Sequence, residues 1–250
     1  MSGFRAYADE SGAGMKYRRI LLKISGEALM GEGSYGISPD MIHFVATEIK
    51  AVHERGVQLA LVIGAGNIFR GVAGAAGGMD RGSADNMGML ATVINSIAMK
   101  DGLQKAGIPT HVMSAITMRN VCEPYVRTRA ISYLNESHVV IFAAGTGNPY
   151  FTTDTAGVLR ALEIRADVIM KATRVDGVYD RDPEKDSGAI RFGRLSYTKV
   201  LQDELRVMDA AGISLARDND LPVLVFNMKV AGNINRATEG EEIGTLITTG

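Results

Sequence analysis

At 250 residues the chain is long enough for a substantial core, built as one large α/β domain or two small ones. A net charge of −1 gives no electrostatic footprint for nucleic acid or an anionic membrane, and the one cysteine, Cys122, excludes an internal disulfide and fits a reducing compartment. No apolar run is long enough to span a bilayer and no secretory signal opens the sequence, so the expectation is a cytoplasmic protein.

Residues 1–16 are small, polar and aperiodic, and read as a flexible N-terminal extension to a single domain over 17–250. "YRRILLKIS" is a β-rich run closed by Gly26. Ser38 with Pro39 then marks a helix start, and Met41, Ile42, Val45, Ile49 and Val52 recur on one face before Gly56 stops it. The strand "VQLALVI" runs into the turn "GAGNIFRG". A long helix follows over about 84–106, with Met87, Leu90, Ala91, Ile94, Ile97 and Ala98 expected to face inward. "IPTHVM" is the next strand and "YVRTRAISYLN" a short helix. "SHVVIFAAG" is apolar almost throughout, as a parallel strand covered on both faces must be. A polar loop, a helix over 154–165 and the strand "DVIMKA" come next. The second half is looser: a turn-rich connection, a hairpin within "GAIRFGRLSY", helices near 197–205 and 208–218, the strand "PVLVFN", and "GTLIT" closing the sheet. This alternation predicts a three-layer α/β/α sandwich around a mainly parallel sheet.

Ligands in such folds bind beyond the carboxyl ends of the strands. Four strand ends carry unusual polar content: "KISGEAL", "GAGNIFRG", "GTGNPYFTTD" and "KATRVDGVYDRDP". They offer small residues for close backbone approach and cations in Lys23, Arg70 and Lys171, a combination suited to a polyphosphate and the charge that develops during its transfer. The turn after the second strand is neither of two familiar phosphate binders. A dinucleotide fingerprint would have a third glycine where Phe69 stands, and a P-loop would have lysine and a hydroxyl residue at Val72 and Ala73. His43, His53, His111 and His138 are scattered without metal-ligand spacing, and neither a serine nor the cysteine sits in a nucleophile signature. Without an evident general base, an acceptor that is already an anion is easier to explain than a hydroxyl, although an aspartate in these loops could act as base.

These loops resemble the bacterial uridylate (UMP) kinases of the amino-acid-kinase superfamily, through "LLKISGEAL", "GAGNIFRG", "MGMLATVIN", "AAGTGNPYFTTD", "KATRVDGVYDRDP", "VMD" and "GTLIT". The resemblance implies transfer of a phosphoryl group from ATP, carried with Mg2+, to UMP, in pyrimidine nucleotide synthesis. It also implies a homohexamer activated by GTP and inhibited by UTP, and no other metal site. Lys23, Arg70 and Asp154 would be catalytic, with Asp154 orienting the cationic groups. ATP would meet Lys23, Ile24, Ser25, Gly26, Gly66, Arg70, Thr173, Tyr179 and Asp182. UMP would meet Ala65, at the middle glycine of the family's turn, Asp85, and Thr146, Gly147, Asn148, Pro149, Tyr150, Phe151, Thr152 and Thr153. Gly31, Glu32, Gly33, Ser34, Tyr35 and Gly36 correspond to a loop implicated in the GTP response. Asp85 and Asp154 also suit the first turns of helices for dipole reasons alone, Asp209 suits the start of another, and Lys171 reads equally as a second phosphate cation or a strand-end charge. The alternatives are a related kinase acting on a carboxylate or another phosphate, or a nucleotide-binding regulator without turnover.

Overall fold

The structure, a computed structural model, describes residues 15–69, 77–183, 185–186, 188–205 and 207–249. A nine-stranded sheet forms its centre. In chain order the elements are β1 (Arg19–Ile24), a 3-10 turn (Gly26–Leu29), α1 (Pro39–His53), β2 (Gln58–Ile63), α2 (Arg81–Lys105), β3 (Thr110–Ser114), β4 (Glu123–Pro124), α3 (Arg127–Asn135) and β5 (Val139–Ala143). Then follow α4 (Thr153–Glu163), β6 (Val168–Thr173), β7 (Val178–Tyr179), β8 (Arg191–Phe192), β9 (Arg194–Ser196), α5 (Tyr197–Gln202), α6 (Ala210–Asp218), β10 (Val223–Asn227), α7 (Asn233–Glu239) and β11 (Gly244–Thr248).

The strand order is β4-β3-β5-β2-β1-β6-β10-β11-β9, and among the described residues only β10 and β11 pair antiparallel within this sheet. The three-layer α/β reading is therefore correct. Strands β1, β2, β5 and β6 read as apolar runs because both faces of the sheet are covered. One core holds Leu22, Ile24, Leu61 and Ile63 with α1 and α2; the other holds Leu21, Val62, Phe142 and Ile169 with α3, α4 and α6. Ser38 caps α1 by accepting the Met41 N–H, with proline in the first turn as expected. Most of the extension lies outside the described residues; where the chain enters the fold, the Lys16 and Tyr17 amides donate to the Thr238 carbonyl.

Three expectations are corrected. Helix α2 begins at Arg81, and Met87, Leu90, Ile94 and Ile97 face outward, each at least 42% exposed. Its buried face instead carries Met89, Ala91, Val93 and Met99 together with Thr92, Asn95 and Ser96. Periodicity favours the more apolar stripe, whereas this helix buries small polar residues because they bond to neighbouring backbone: Thr92 Oγ1 accepts the Ala144 N–H, and Asn95 donates to the Gly64 carbonyl. "GAIRFGRLSY" forms no hairpin. Gly193 alone separates β8 from β9, less than the two residues a tight hairpin loop needs, and the strands part: β8 pairs with β7 and β9 with β11. The short helix α7 was not anticipated; glycines in the left-handed region, Gly232 and Gly240, bound it.

Candidate active site

The four polar strand ends belong to β5, β2, β1 and β6, which are consecutive in the middle of the sheet. All four strands are parallel, so these loops leave from one edge. The loops after β1 and β2 meet backbone to backbone. A Cβ added to Gly26 would lie 2.5 Å from the Gly64 carbonyl oxygen and 2.7 Å from the Gly66 nitrogen. Only glycine permits that approach. Gly64 in turn faces Thr153 Oγ1 across 3.5 Å for an added Cβ, which brings the start of α4 to the same place. Ala65 is absent from the described residues with positive φ, so the methyl group in place of the middle glycine meets no left-handed backbone. Its carbonyl accepts the Ile68 and Phe69 N–H groups and closes the turn.

Behind the turn, Asn67 and Asn95 exchange side-chain amide hydrogen bonds at 2.9 and 2.7 Å. Asn67 also donates to the Gly36 carbonyl, and the Gly36 N–H donates to the Asn67 carbonyl. The Gly31–Gly36 loop is thereby tied to the turn after β2, while Tyr35 on it stands 71% exposed. Both asparagines lie inside motifs visible in the sequence, yet nothing there distinguishes a buried amide pair from surface polarity.

Lys23 on β1 and Lys171 on β6 are register partners on adjacent strands, so their side chains leave the same face. Asp154, in the first turn of α4, lies between them: Lys23 Nζ is 2.8 Å from Oδ1 and Lys171 Nζ donates to Oδ2 at 2.7 Å. Lys171 also donates to the Val207 carbonyl. Gly157 lets α4 settle here, since an added Cβ would touch Lys23 and press to 3.0 Å from Ile169. Burial acts on Asp154 to raise its carboxyl, but the two ammoniums outweigh it and hold the group below the ordinary range. Burial pushes Lys171 down, opposed by Asp154 and aided by Lys23. Capping of α4 falls to Thr152, whose hydroxyl accepts from the Asp154 and Thr155 amides, so the Asp154 carboxylate serves the lysines.

The loop after β5 is held in an unusual shape. Ala144 and Tyr150 have φ of 61° and 72°, and Gly145 and Gly147 are also left-handed. Two non-glycine residues in that region store strain of roughly 1–2 kcal/mol each, as binding loops do. Asp85 fixes the loop by accepting the Tyr150 N–H at 2.8 Å, and it pairs with Arg81 at 2.7 Å. Because Asp80 caps α2 and Arg81 begins it, Asp85 lies beyond the first turn, and the dipole explanation loses its basis. Thr146 and Asn148 bond to one another across the exposed loop, and Phe151 is 52% exposed. On the other side, Thr173 ends β6, Tyr179 lies on β7 with its hydroxyl donating to Asp176, and Asp182 begins the following turn. Ile24, the last residue of β1, has a fully buried side chain, and its carbonyl accepts the Gly64 N–H. Arg70 lies outside the described residues.

The histidines are less scattered than the sequence suggested. His111 Nδ1 contacts Glu123 at 2.8 Å, its Nε2 contacts His138 at 3.0 Å, and its ring stacks on Tyr133. This cluster belongs to β3, β4, α3 and the residue before β5, not to the lysine site. Among the described residues no group of three or more His, Cys, Asp or Glu is arranged to hold a metal, and no helix is long and apolar enough to cross a membrane.

The glycine cradle and the two lysines bridged by one aspartate are joined by wider likeness. The chain matches the Amino acid kinase family over residues 18–227. It belongs to the amino acid kinase family. Solved structures agree: UMP kinase from Bacillus anthracis superposes with a TM-score of 0.90 at 39% identity, over 93% of this chain and 96% of that one. UMP kinase from Ureaplasma parvum gives 0.87 at 34%, over 94% and 100%. Uridylate kinase from Archaeoglobus fulgidus gives 0.71 at 26%, over 92% and 99%. In this member of the amino acid kinase family, the candidate site is the edge where the four central strands end.

Proposed function

We propose that this chain transfers the γ-phosphoryl group of ATP to the phosphate of UMP, forming ADP and UDP. The observation that carries the proposal is the pair of register-matched lysines bridged by Asp154 beside the Gly26–Gly64–Gly66 cradle. Two fixed cations in a site of low polarity stabilise charge that spreads over the transferring oxygens. Asp154 bridges the two and orients them before substrate arrives. The acceptor is already an anion, so the reaction needs positioning and charge neutralisation rather than a general base. Mg2+ enters as part of the ATP substrate, held chiefly by phosphate oxygens and water.

In this reading Ser25, Gly26, Gly66 and Arg70 contact phosphates, while Thr173, Tyr179 and Asp182 face the adenosine. Asp85 and the 146–153 loop bind the uridine nucleotide. The product supplies pyrimidine nucleotide synthesis. The outward stripe of Met87, Leu90, Ile94 and Ile97 supports self-association, which we take to be a homohexamer activated by GTP through the Gly31–Gly36 loop and inhibited by UTP. ADP release measured with UMP, CMP, aspartate, N-acetylglutamate and isopentenyl phosphate tests the assignment. Turnover should be fastest with UMP; preference for a carboxylate would transfer the site to another activity of the family.

A further inference from the structure

Asp209 stands immediately before α6, where an aspartate ordinarily accepts the helix's first amides, yet it makes no side-chain cap bond. Its Oδ2 instead accepts the Thr155 hydroxyl at 2.5 Å, on α4 beside Asp154. Its Oδ1 is buried without a hydrogen-bond partner among the described residues. Gly212 allows this arrangement: an added Cβ would lie 3.0 Å from that oxygen and 3.4 Å from the Thr155 nitrogen. The same turn presents the Val207 carbonyl to Lys171 Nζ. A carboxylate oxygen buried without a partner is costly unless the charge it carries is used nearby.

We propose that Asp209 is a positioning residue for phosphoryl transfer, acting through Lys171 while touching neither substrate. Thr155 ties Asp209 to α4, which fixes the Val207 carbonyl as one acceptor of the Lys171 ammonium while Asp154 is the other. The charged groups acting on Lys171 are Asp154 on α4, Lys23 on β1 and Asp209 before α6. Asp154 is divided between two lysines, so Asp209 supplies the second negative charge that balances the pair. It favours the protonated form of Lys171 against burial and Lys23. The inference rests on the proposed role of Lys171 in the transfer site.

The test uses the full chain with Asp209→Asn, Thr155→Val, Thr155→Ser and Lys171→Ala, comparing kcat, the KM values for ATP and UMP, and the pH profile of kcat. Removing the Asp209 charge lowers the pKa of Lys171, so the alkaline limb of kcat should move to lower pH by about one unit, with kcat about tenfold down and KM for UMP within about twofold. Thr155→Val keeps the charge but loses the tie: kcat should fall with little movement of the alkaline limb, and Thr155→Ser should restore it. Wild-type kcat with an unmoved limb in Asp209→Asn overturns the inference. Should that variant fail to fold, wild-type kcat in Thr155→Val overturns it instead. A Lys171→Ala enzyme with wild-type kcat removes the parent reading and this inference together; an impaired Lys171→Ala beside a silent Asp209→Asn removes only the inference.

Discussion

Asp154→Asn removes one charge from a nearly dry cluster of two lysines and leaves the shape almost unchanged. In the native chain Asp154 is 2.8 Å from Lys23 and 2.7 Å from Lys171, with 14% of its side chain exposed. Losing one partner of a buried ion pair costs about 3–5 kcal/mol, because the remaining charges stay desolvated. For a chain of this size that is a fall in Tm of roughly 6–20 °C. The pH dependence identifies the cause. In the folded variant Lys171 loses the group that opposes its burial, so its pKa falls further, while in the unfolded chain it remains near 10.4. The unfolded state then binds more protons, so stability recovers as pH rises toward that value. The Tm gap between native protein and variant should therefore narrow between about pH 7 and 10. Native Asp154 has the same slope in an acidic window: its depressed carboxyl stabilises the fold above the unfolded value and loses that contribution as pH falls through the folded one. Differential scanning fluorimetry across pH, with steady-state kinetics, measures both. A Tm loss of under about 2 °C, or a gap that stays constant with pH, would refute the electrostatic account of the cluster.

Lys23→Ala should lower kcat by about two to three decades and leave the KM for UMP nearly unchanged, since its contact grows in the transition state; steady-state kinetics decides. Asp85→Ala should weaken UMP binding by roughly ten- to hundredfold in calorimetry, with the KM for ATP little altered. Because Asp85 also holds the Tyr150 amide, Asp85→Asn, which keeps an acceptor oxygen, should be the milder of the two. Ile94→Glu, in the middle of the outward stripe of α2, should lower the mass seen by light scattering without lowering Tm by more than about 2 °C; an unchanged mass removes that stripe from the interface.

Much of this fold is legible in one sequence because its central strands are buried on both faces and read as uninterrupted apolar runs between glycine-rich turns. The position of the four polar strand ends follows from parallel topology, which places them on one edge. Pattern failed where two demands competed on one element. Helix α2 carries an apolar stripe on each side, and the more hydrophobic one, with Leu90 and Ile94, faces out. The inward side is partly polar because Thr92 and Asn95 satisfy loop backbone, a requirement that exists only once the loops are in place. Lys171 remained ambiguous in sequence because strand register, which sets it beside Lys23, is a long-range property. Asp209 resembled a helix cap for the same reason: its partner, Thr155, is 54 residues away. Asp154 and Asp85 were each open to a helix-dipole reading; Asp85 proves to lie beyond the first turn of its helix, while Asp154 keeps a first-turn place and in addition bridges two lysines.

Following the labelled phosphoryl group tests the central claim most directly. With γ-32P ATP, Mg2+ and UMP, the account predicts that label leaving ATP appears in the β-phosphate of UDP, in equal amount to the ADP formed. Label released as inorganic phosphate, or trapped by hydroxylamine as an acyl phosphate formed on a carboxylate acceptor in preference to UMP, would contradict it.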